Sequence, residues 1–324
     1  MRYQIRHTTR YLYDHVISVS HHLVRTHPRN LPNQNCLEFQ LTTSPNPTSE
    51  TTHQDYFGNT TSLLTIEGPH QEFSVTATSQ VDRQPSPPPN PGSTPPWETI
   101  RDQCLNNHPS TLEAIPFLFP SPMIPRSPKL ADLARPFFSR NRPWIDALTD
   151  FMNHVHQTFS FDPTATQVTT KVETVLTQKR GVCQDFAHLT IAALRSLDLP
   201  ARYVSGYLET LPPPGQPKLT GADASHAWIS AFLPNVGWID LDPTNNLFPS
   251  SQHITVAFGR DFQDVSPVRG VLVGAGNHQL SVAVDVQPIT PTTNNQQPTT
   301  NNQQPTTNNQ QPTTNNQEPL NLKP

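Results

Sequence analysis

A seven-residue repeat sets the first limit on how this chain can fold. PTTNNQQ begins at Pro291, Pro298 and Pro305, a fourth copy from Pro312 ends in glutamate, and apart from proline no position of the repeat carries an apolar side chain. Its length equals a coiled-coil heptad, but a coiled coil needs apolar residues along one seam. A segment without apolar side chains cannot offset the entropy lost on ordering. We therefore predict that residues 287–324 form a disordered tail. We favour a repeat that is tolerated because it is soluble over a tail that binds a partner.

A second concentration of proline divides the rest of the chain. The run QPSPPPNPGSTPP, residues 84–96, holds seven of the 37 prolines. Proline fixes φ and donates no N–H, so this composition favours an extended linker. We assign residues 84–97 to the linker, which leaves two folded parts, residues 1–83 and 98–286.

The first part is predicted to be a small all-β domain. Apolar and polar residues alternate in Tyr3–His7, Leu37–Leu41 and Phe73–Ala77. A period of two indicates strands with one buried face. Helical periodicity is nearly absent, and several short strands of this kind favour a small sandwich or an open barrel.

The second part combines helices with strands. Helical spacing of apolar residues predicts a helix over Pro143–Phe159 and another over Asp185–Leu197. Thr170 and Glu173 have the spacing of a capping box and predict a short helix between them and Gly181. Strand-like runs then follow one another at Ala201–Leu208, His226–Leu233, Gly237–Leu241, Ile254–Phe258, Val271–Val273 and Leu280–Val286. Helices followed by consecutive strands predict an α+β domain with an antiparallel sheet.

Composition and charge exclude several classes of function. The net charge of -4 gives no basic excess for binding nucleic acid. Because neither an apolar run of about 18 residues nor a secretory leader is evident, we expect a cytoplasmic protein without a membrane segment. Three cysteines, Cys36, Cys104 and Cys183, are too few for a disulfide framework or a zinc site. With no phosphate-binding loop either, the sequence predicts neither a cofactor nor a metal.

Cys183 is the cysteine whose surroundings indicate chemistry. It follows a glycine and precedes the predicted Asp185–Leu197 helix, and a helix N-terminus stabilises a thiolate. A buried cysteine that packs as a small hydrophobe is the commoner case, so this feature alone is weak. His188 lies five residues further along the same helix, about 140° around its axis, and is better read as a packed or surface histidine.

Two later segments strengthen the case for catalysis at Cys183. His226 begins a predicted strand, and Asp242 ends the next one, directly before a proline. If the two strands form a hairpin around Asn235, a small offset in register brings the imidazole and the carboxylate together. A cysteine, a histidine and a third group that orients the imidazole make an activated nucleophile. The pattern does not separate Asp240 from Asp242.

Three blocks in this order resemble the transglutaminase-like superfamily of bacterial proteins. They are GVCQDFAHL (residues 181–189), SHAW (residues 225–228) and GWIDLDPTNN (residues 237–246). The opening MRYQIRHTTRYLYDH and DYFGN resemble the β-rich N-terminal region of bacterial members. The resemblance covers residues 1–286. It implies an α+β fold, with a papain/transglutaminase-like core at about residues 143–246 in which helices pack on an antiparallel sheet, preceded by a small all-β domain.

The resemblance also implies roles for the site residues. Cys183 would be the nucleophile, His226 the general base and acid, and Asp242, directly before Pro-Thr as in the family motif, the orienting carboxylate. The expected function is cleavage of an amide or peptide bond through a thioester. Hydrolysis is favoured over cross-linking, with a peptide or protein as substrate. The alternative is an inactive peptide-binding module of the same fold. The second oxyanion donor stays open, because Gln178 reads equally well as an exposed residue at a helix end.

Overall fold

The computed structural model describes residues 1–85, 87–210, 225–274 and 276–289. The strands in chain order are β1 (Arg2–Val24), β2 (Gln34–Ser44), β3 (Ser49–Gln54), β4 (Thr60–Arg83), β5 (Ser160–Phe161), β6 (Arg180–Gly181), β7 (Ala201–Leu208), β8 (Ser225–Leu233), β9 (Gly237–Leu241), β10 (His253–Gly259), β11 (Val268–Val273) and β12 (His278–Ile289). The helices are α1 (Trp97–Leu105), α2 (Pro128–Ala134), α3 (Trp144–Thr158), α4 (Val172–Gln178), α5 (Cys183–Ser196) and α6 (Phe262–Val265), with 3₁₀ helices at Pro109–Phe117 and Arg135–Phe137.

The N-terminal region forms one antiparallel sheet of six strands. Its centre is the pair β1 and β4, which are 23 and 24 residues long. β2 and β3 pair with successive halves of β4, while β12 and β11 pair with successive halves of β1. The prediction of an all-β region is confirmed, but the described strands of this region form a single sheet and neither a sandwich nor a barrel.

The last two strands lie in a different sheet from the one that their position in the sequence suggests. The runs Val271–Val273 and Leu280–Val286 are strands, as predicted, but they pair with β1 and not with the strands around Cys183. β1 has a free edge opposite β4, and β11 and β12 satisfy its backbone groups there. The segment that the sequence groups with the second part therefore completes the first sheet.

The second sheet carries four antiparallel strands in the order β10–β7–β8–β9. Helix α5 lies against β8 and β7, and most of its residues are buried, as expected for a helix that is apolar on nearly every side. A side chain on Gly206 of β7 would collide with the carbonyl oxygen of Ile254 on β10, because an ideal Cβ would lie 2.1 Å from that oxygen. Strands β10, β7 and β8 thus approach closely at Gly206, the position opposite His226.

The helix predictions are largely confirmed. Helix α3 begins after Pro143 and matches the predicted Pro143–Phe159 segment. Helix α5 begins at Cys183, two residues before the predicted start, so the thiol lies in its first turn. The predicted capping box is wrong. No side chain of the described residues caps α4, and the Thr170 hydroxyl instead accepts the N–H of Gln167 at 2.9 Å.

The end of the proline-rich segment packs against the core. Thr94 is buried and accepts the Ile145 N–H at 3.0 Å, while the Pro95 carbonyl accepts the Trp144 N–H at the same distance. Of the predicted tail, residues 287–289 end β12 and the rest lies outside the described residues. Within the described ranges, no helix combines the length and apolarity needed to cross a bilayer.

Two amide side chains of the N-terminal region pair with the edge of the second sheet. Gln34 donates to the Thr255 carbonyl at 2.7 Å and accepts the Thr255 N–H at 2.8 Å. Asn59 makes the same pair of bonds with Phe258, at 2.8 and 2.9 Å. Because each amide imitates a neighbouring strand, the outer edge of β10 is closed by side chains from the first region.

Replacing either amide should destabilise the fold measurably. In Gln34→Ala or Asn59→Ala, a buried N–H and a buried carbonyl lose their partners, at a cost of about 1–3 kcal/mol each. Urea unfolding at equilibrium measures this, with Gln40→Ala on the exposed part of β2 as the matched control. Equal unfolding midpoints for Asn59→Ala and Gln40→Ala would contradict the edge-closing role.

Candidate active site

Cys183 lies at the N-terminus of α5 because the chain turns sharply before it. Lys179 adopts a left-handed conformation with φ 54° and ends α4. The two residues of β6 then pair with β5, and extended Val182 leads into the helix. Asp185 fixes this entry, since its carboxylate accepts the Val182 N–H at 2.8 Å and the Thr166 hydroxyl at 2.6 Å. The half-exposed thiol is therefore held beside unpaired N–H groups of a first helical turn.

His226 and Asp242 meet across the hairpin of β8 and β9, as predicted. Ile229 faces Leu241 in this ladder, so His226 lies diagonally from the residue that follows β9. The His226 Nε2 lies 2.7 Å from the Asp242 Oδ2. Nε2–H donates to the carboxylate, and Nδ1 is left for another partner.

The Cys183 thiol lines the same cleft as the His226 ring and acts on its protonation. Burial of the ring opposes its protonation, but the hydrogen bond to Asp242, the neighbouring Cys183 thiol and the negative charge of both outweigh burial and raise the pKa of His226 to about 10. The ring is thus protonated at neutral pH. A cation beside sulfur favours the thiolate, which is the nucleophilic form of cysteine.

The carboxylate of Asp242 is fully buried and is held by five donors. Besides His226, Oδ2 accepts from Asn245 Nδ2 at 2.7 Å and from His253 Nε2 at 3.1 Å. Oδ1 accepts the backbone N–H groups of Thr244 and Asn245 at 3.0 and 3.2 Å. Burial would raise the pKa of Asp242, but the hydrogen bonds from His226, His253 and Asn245 and the charge on His226 hold it well below its usual range.

Sequence reasoning missed His253 and Asn245. Asn245 could have been found, because an aspartate followed by Pro-Thr-Asn favours a turn in which the carboxylate binds nearby backbone N–H groups. His253 gave no such signal, since it reaches Asp242 only because β10 crosses beside β7 in the folded sheet.

The remaining candidates lie away from the thiol and its partners. Asp240 accepts a hydrogen bond from Ser230 on β8 and faces a separate cavity that Arg83 and Arg202 also line. His188 is buried, and burial lowers its pKa to about 4; its Nε2 accepts the Phe262 N–H at 3.2 Å. Gln178 is exposed at the end of α4.

In the described part of the chain, one group of three side chains could surround a metal ion. The ligand atoms of His226, Asp242 and His253 lie within 4.8 Å of one another. These atoms already hydrogen-bond one another, and both Nε2 atoms would have to lose their protons to bind an ion. The high pKa of His226 opposes that loss, so the geometry fits a proton network better than a metal centre.

The site opens into a cleft of about 280 Å³. Val182, Gln184 and Tyr203 lie around Cys183 on the core side. Tyr203 is buried, and burial followed by the nearby charge of Cys183 raises the pKa of its hydroxyl well above its usual range. The hydroxyl therefore keeps its proton beside the thiol.

Comparison with known proteins identifies the family. The sequence profile of the bacterial transglutaminase-like N-terminal region matches residues 3–82, and that of the transglutaminase-like superfamily matches residues 131–243. An uncharacterized protein of Mycobacterium tuberculosis is 38% identical over 299 residues, which cover 89% of this chain and 93% of the relative. An uncharacterized protein of Mycobacterium leprae is 31% identical over 288 residues, which cover 88% of this chain and 98% of the relative. The chain belongs to the bacterial transglutaminase-like superfamily.

Two further proteins bear on the fold and the kind of activity. A protein-glutamine gamma-glutamyltransferase of Pseudomonas aeruginosa is 30% identical over 126 residues, which cover 39% of this chain and 19% of that protein. A structure from Cytophaga hutchinsonii, described as a candidate cysteine protease, superimposes with a TM-score of 0.67 at 24% identity, covering 90% of this chain and 92% of the other. The predicted α+β fold is confirmed, and the family supports an enzyme.

The three cysteines should differ sharply in reactivity. Burial raises the pKa of the Cys36 and Cys104 thiols to about 11, whereas Cys183 has a helix N-terminus and protonated His226 beside it. At about pH 6.5, iodoacetamide should label Cys183 at least about tenfold faster than the other two. Peptide mass spectrometry after short exposures measures each rate.

The variant His226→Gln serves as the control for this labelling. It should slow labelling of Cys183 and leave the rate at Cys36 unchanged, because Cys36 lies on β2, away from the cleft. Equal rates at all three cysteines of the natural chain would contradict the activation of Cys183.

Proposed function

We propose that this protein is a cysteine hydrolase that cleaves an amide bond in a peptide or protein, and that Cys183, His226 and Asp242 are its catalytic residues. The observation that carries the proposal is the fully buried Asp242 carboxylate, which orients a protonated His226 against a thiol at a helix N-terminus. A cysteine with a merely structural role needs none of these features.

The reaction begins when the Cys183 thiolate attacks the carbonyl carbon of the amide. The backbone N–H of Cys183, in the first turn of α5, is the donor that we assign to the developing oxyanion. His226 then gives its proton to the leaving amine, and the acyl group stays on sulfur as a thioester. Asp242 stays ionised throughout, holds the ring in place and stabilises its charged form.

Water is the acceptor of the acyl group that the cleft favours. His226, now neutral, takes a proton from water as the water attacks the thioester, and thiolate and carboxylic acid result. A lysine acceptor carries a positive charge until it enters the site. Among the described residues that line the cleft, none carries a carboxylate, and Cys183 has no charge once it is acylated, so nothing there attracts a cationic side chain.

Product analysis tests the proposal and separates its alternatives. The purified chain is incubated with peptide libraries, with and without a primary amine, and products are identified by mass spectrometry. We expect free carboxylic acid products in both cases, and no turnover by Cys183→Ala, while Cys36→Ala retains full activity. Mainly amine adducts would make the protein a transferase. Peptide binding without turnover would support the binding module, and turnover by Cys183→Ala would refute the nucleophile.

The rate should depend on pH through His226. The protonated ring supplies the leaving-group proton, so kcat/KM should fall as pH rises through about 10, the pKa of His226. In Asp242→Asn the carboxylate that raises the pKa of His226 is lost, while burial of the ring still lowers it. The fall of kcat/KM should therefore move to lower pH. The rate itself should drop about 10²–10⁴-fold, the usual contribution of a positioned acid and base.

A matched aspartate provides the control for this pH profile. Asp240→Asn lies two residues earlier on β9 and contacts Ser230 and not His226. It should leave the alkaline fall of kcat/KM at its natural pH. Profiles that coincide for Asp242→Asn and the natural chain would contradict the role of Asp242.

A further inference from the structure

The N-terminal sheet forms one wall of the cleft in front of Cys183. His7, Thr9 and Tyr11 of β1 line it, as do Leu280 and Val282 of β12. These five side chains belong to the region that matches the N-terminal family and to the strand that completes its sheet. The cleft therefore lies between the two sheets, and the core around Cys183 supplies only part of its lining.

Strand register explains how these side chains reach one surface. Tyr11 pairs with Leu280, and Thr9 pairs with Val282, in the ladder between β1 and β12. Alternate residues of a strand share a face, and paired residues lie on the same face. The four side chains are thus a contiguous patch, which we call the β-wall.

Exposure changes abruptly along the face of the β-wall. Val284 is the next residue of β12 on the same face after Val282, and it is 1% exposed because it packs against the core. Val282 and Leu280 are 50% and 54% exposed, although they continue the same apolar face. Two apolar side chains left open beside a nucleophile are surface that a ligand can cover.

The β-wall is uncharged. His7, which lies beside it, is buried, and burial lowers its pKa to about 4, so its ring is neutral at physiological pH. It is fixed by hydrogen bonds between its Nδ1 and the Tyr207 hydroxyl at 2.9 Å, and between its Nε2 and the Thr9 hydroxyl at 3.2 Å. A charged substrate side chain would find no partner on this surface and would lose its hydration there.

We propose that the β-wall binds an apolar side chain of the substrate next to the amide bond that Cys183 attacks, and so makes the N-terminal sheet the specificity element of the enzyme. This inference rests on the proposed function for its reaction, but its binding chemistry can be measured apart from turnover. A cleft of about 280 Å³ holds one or two residues, so the selected position is adjacent to the scissile carbonyl.

The experiment that tests this proposal changes a residue of the β-wall and measures the preference of Cys183 for one reagent side chain over another. Peptidyl chloromethyl ketones that differ only in one side chain, leucine or aspartate, alkylate Cys183 without requiring turnover. The natural chain should react at least about tenfold faster with the leucine reagent, the discrimination expected of an apolar pocket. Val282→Lys should lower this ratio at least about tenfold, partly by faster reaction with the aspartate reagent, a gain that a damaged fold cannot give.

Leu12→Lys is the matched control. Leu12 is 42% exposed and is next to Tyr11 on β1, so it projects from the opposite face of the sheet. It should keep the natural selectivity. Iodoacetamide, which has no peptide side chain, should label Cys183 equally in all three proteins and thus verify an intact site.

The outcomes separate the two proposals. Unchanged selectivity in Val282→Lys with normal iodoacetamide labelling would overturn the β-wall and leave the hydrolase standing. Selective alkylation of a protein that cleaves no peptide would overturn the hydrolase and leave the β-wall. A natural chain whose Cys183 reacts with none of these reagents would overturn both.

Discussion

The architecture around Cys183 depends on one buried negative charge. Asp242 has no exposed surface, and an unpaired carboxylate in that position would be prohibitively unfavourable. Its compensation comes from His226 on β8, His253 on β10 and the turn that holds Thr244 and Asn245. Two strands and a turn must therefore reach their native positions together, because displacement of any one leaves the charge short of a donor.

The same charge explains why the His226 ring is protonated although it is buried. Burial by itself would leave His226 neutral, and a neutral ring stabilises a neighbouring thiolate poorly. Asp242 reverses that tendency, so the ring is both sheltered from water and protonated. The first sheet contributes at a distance by closing the edge of β10, the strand that carries His253, through Gln34 and Asn59.

Local patterns in the sequence predict much of this. Periodicity of apolar residues identifies α3, α5 and nine of the twelve described strands, but not β3, β5 or β6. Counting residues from the turn between β8 and β9 is enough to predict that His226 meets Asp242. Contacts between residues that are distant in the chain cannot be predicted from such local patterns. Alternation shows that β11 and β12 are strands but contains no information on which edge they join, and His253 meets Asp242 only through the order of the folded sheet. Thr170 shows that local patterns can also mislead, because its hydroxyl accepts the N–H of Gln167 in the preceding loop and does not cap the helix.

The pairing of β1 with β12 also sets the order of events during synthesis. Residues near Arg2 can join β4 soon after it leaves the ribosome, but their other edge must wait for residues up to Ile289. Contacts between such distant segments form late, because a long loop must be closed before they give any stabilisation. A nascent chain can therefore assemble Cys183, His226 and Asp242 while the space in front of the thiol is still open on one side. The cleft in front of Cys183 is therefore completed only when β12 pairs with β1.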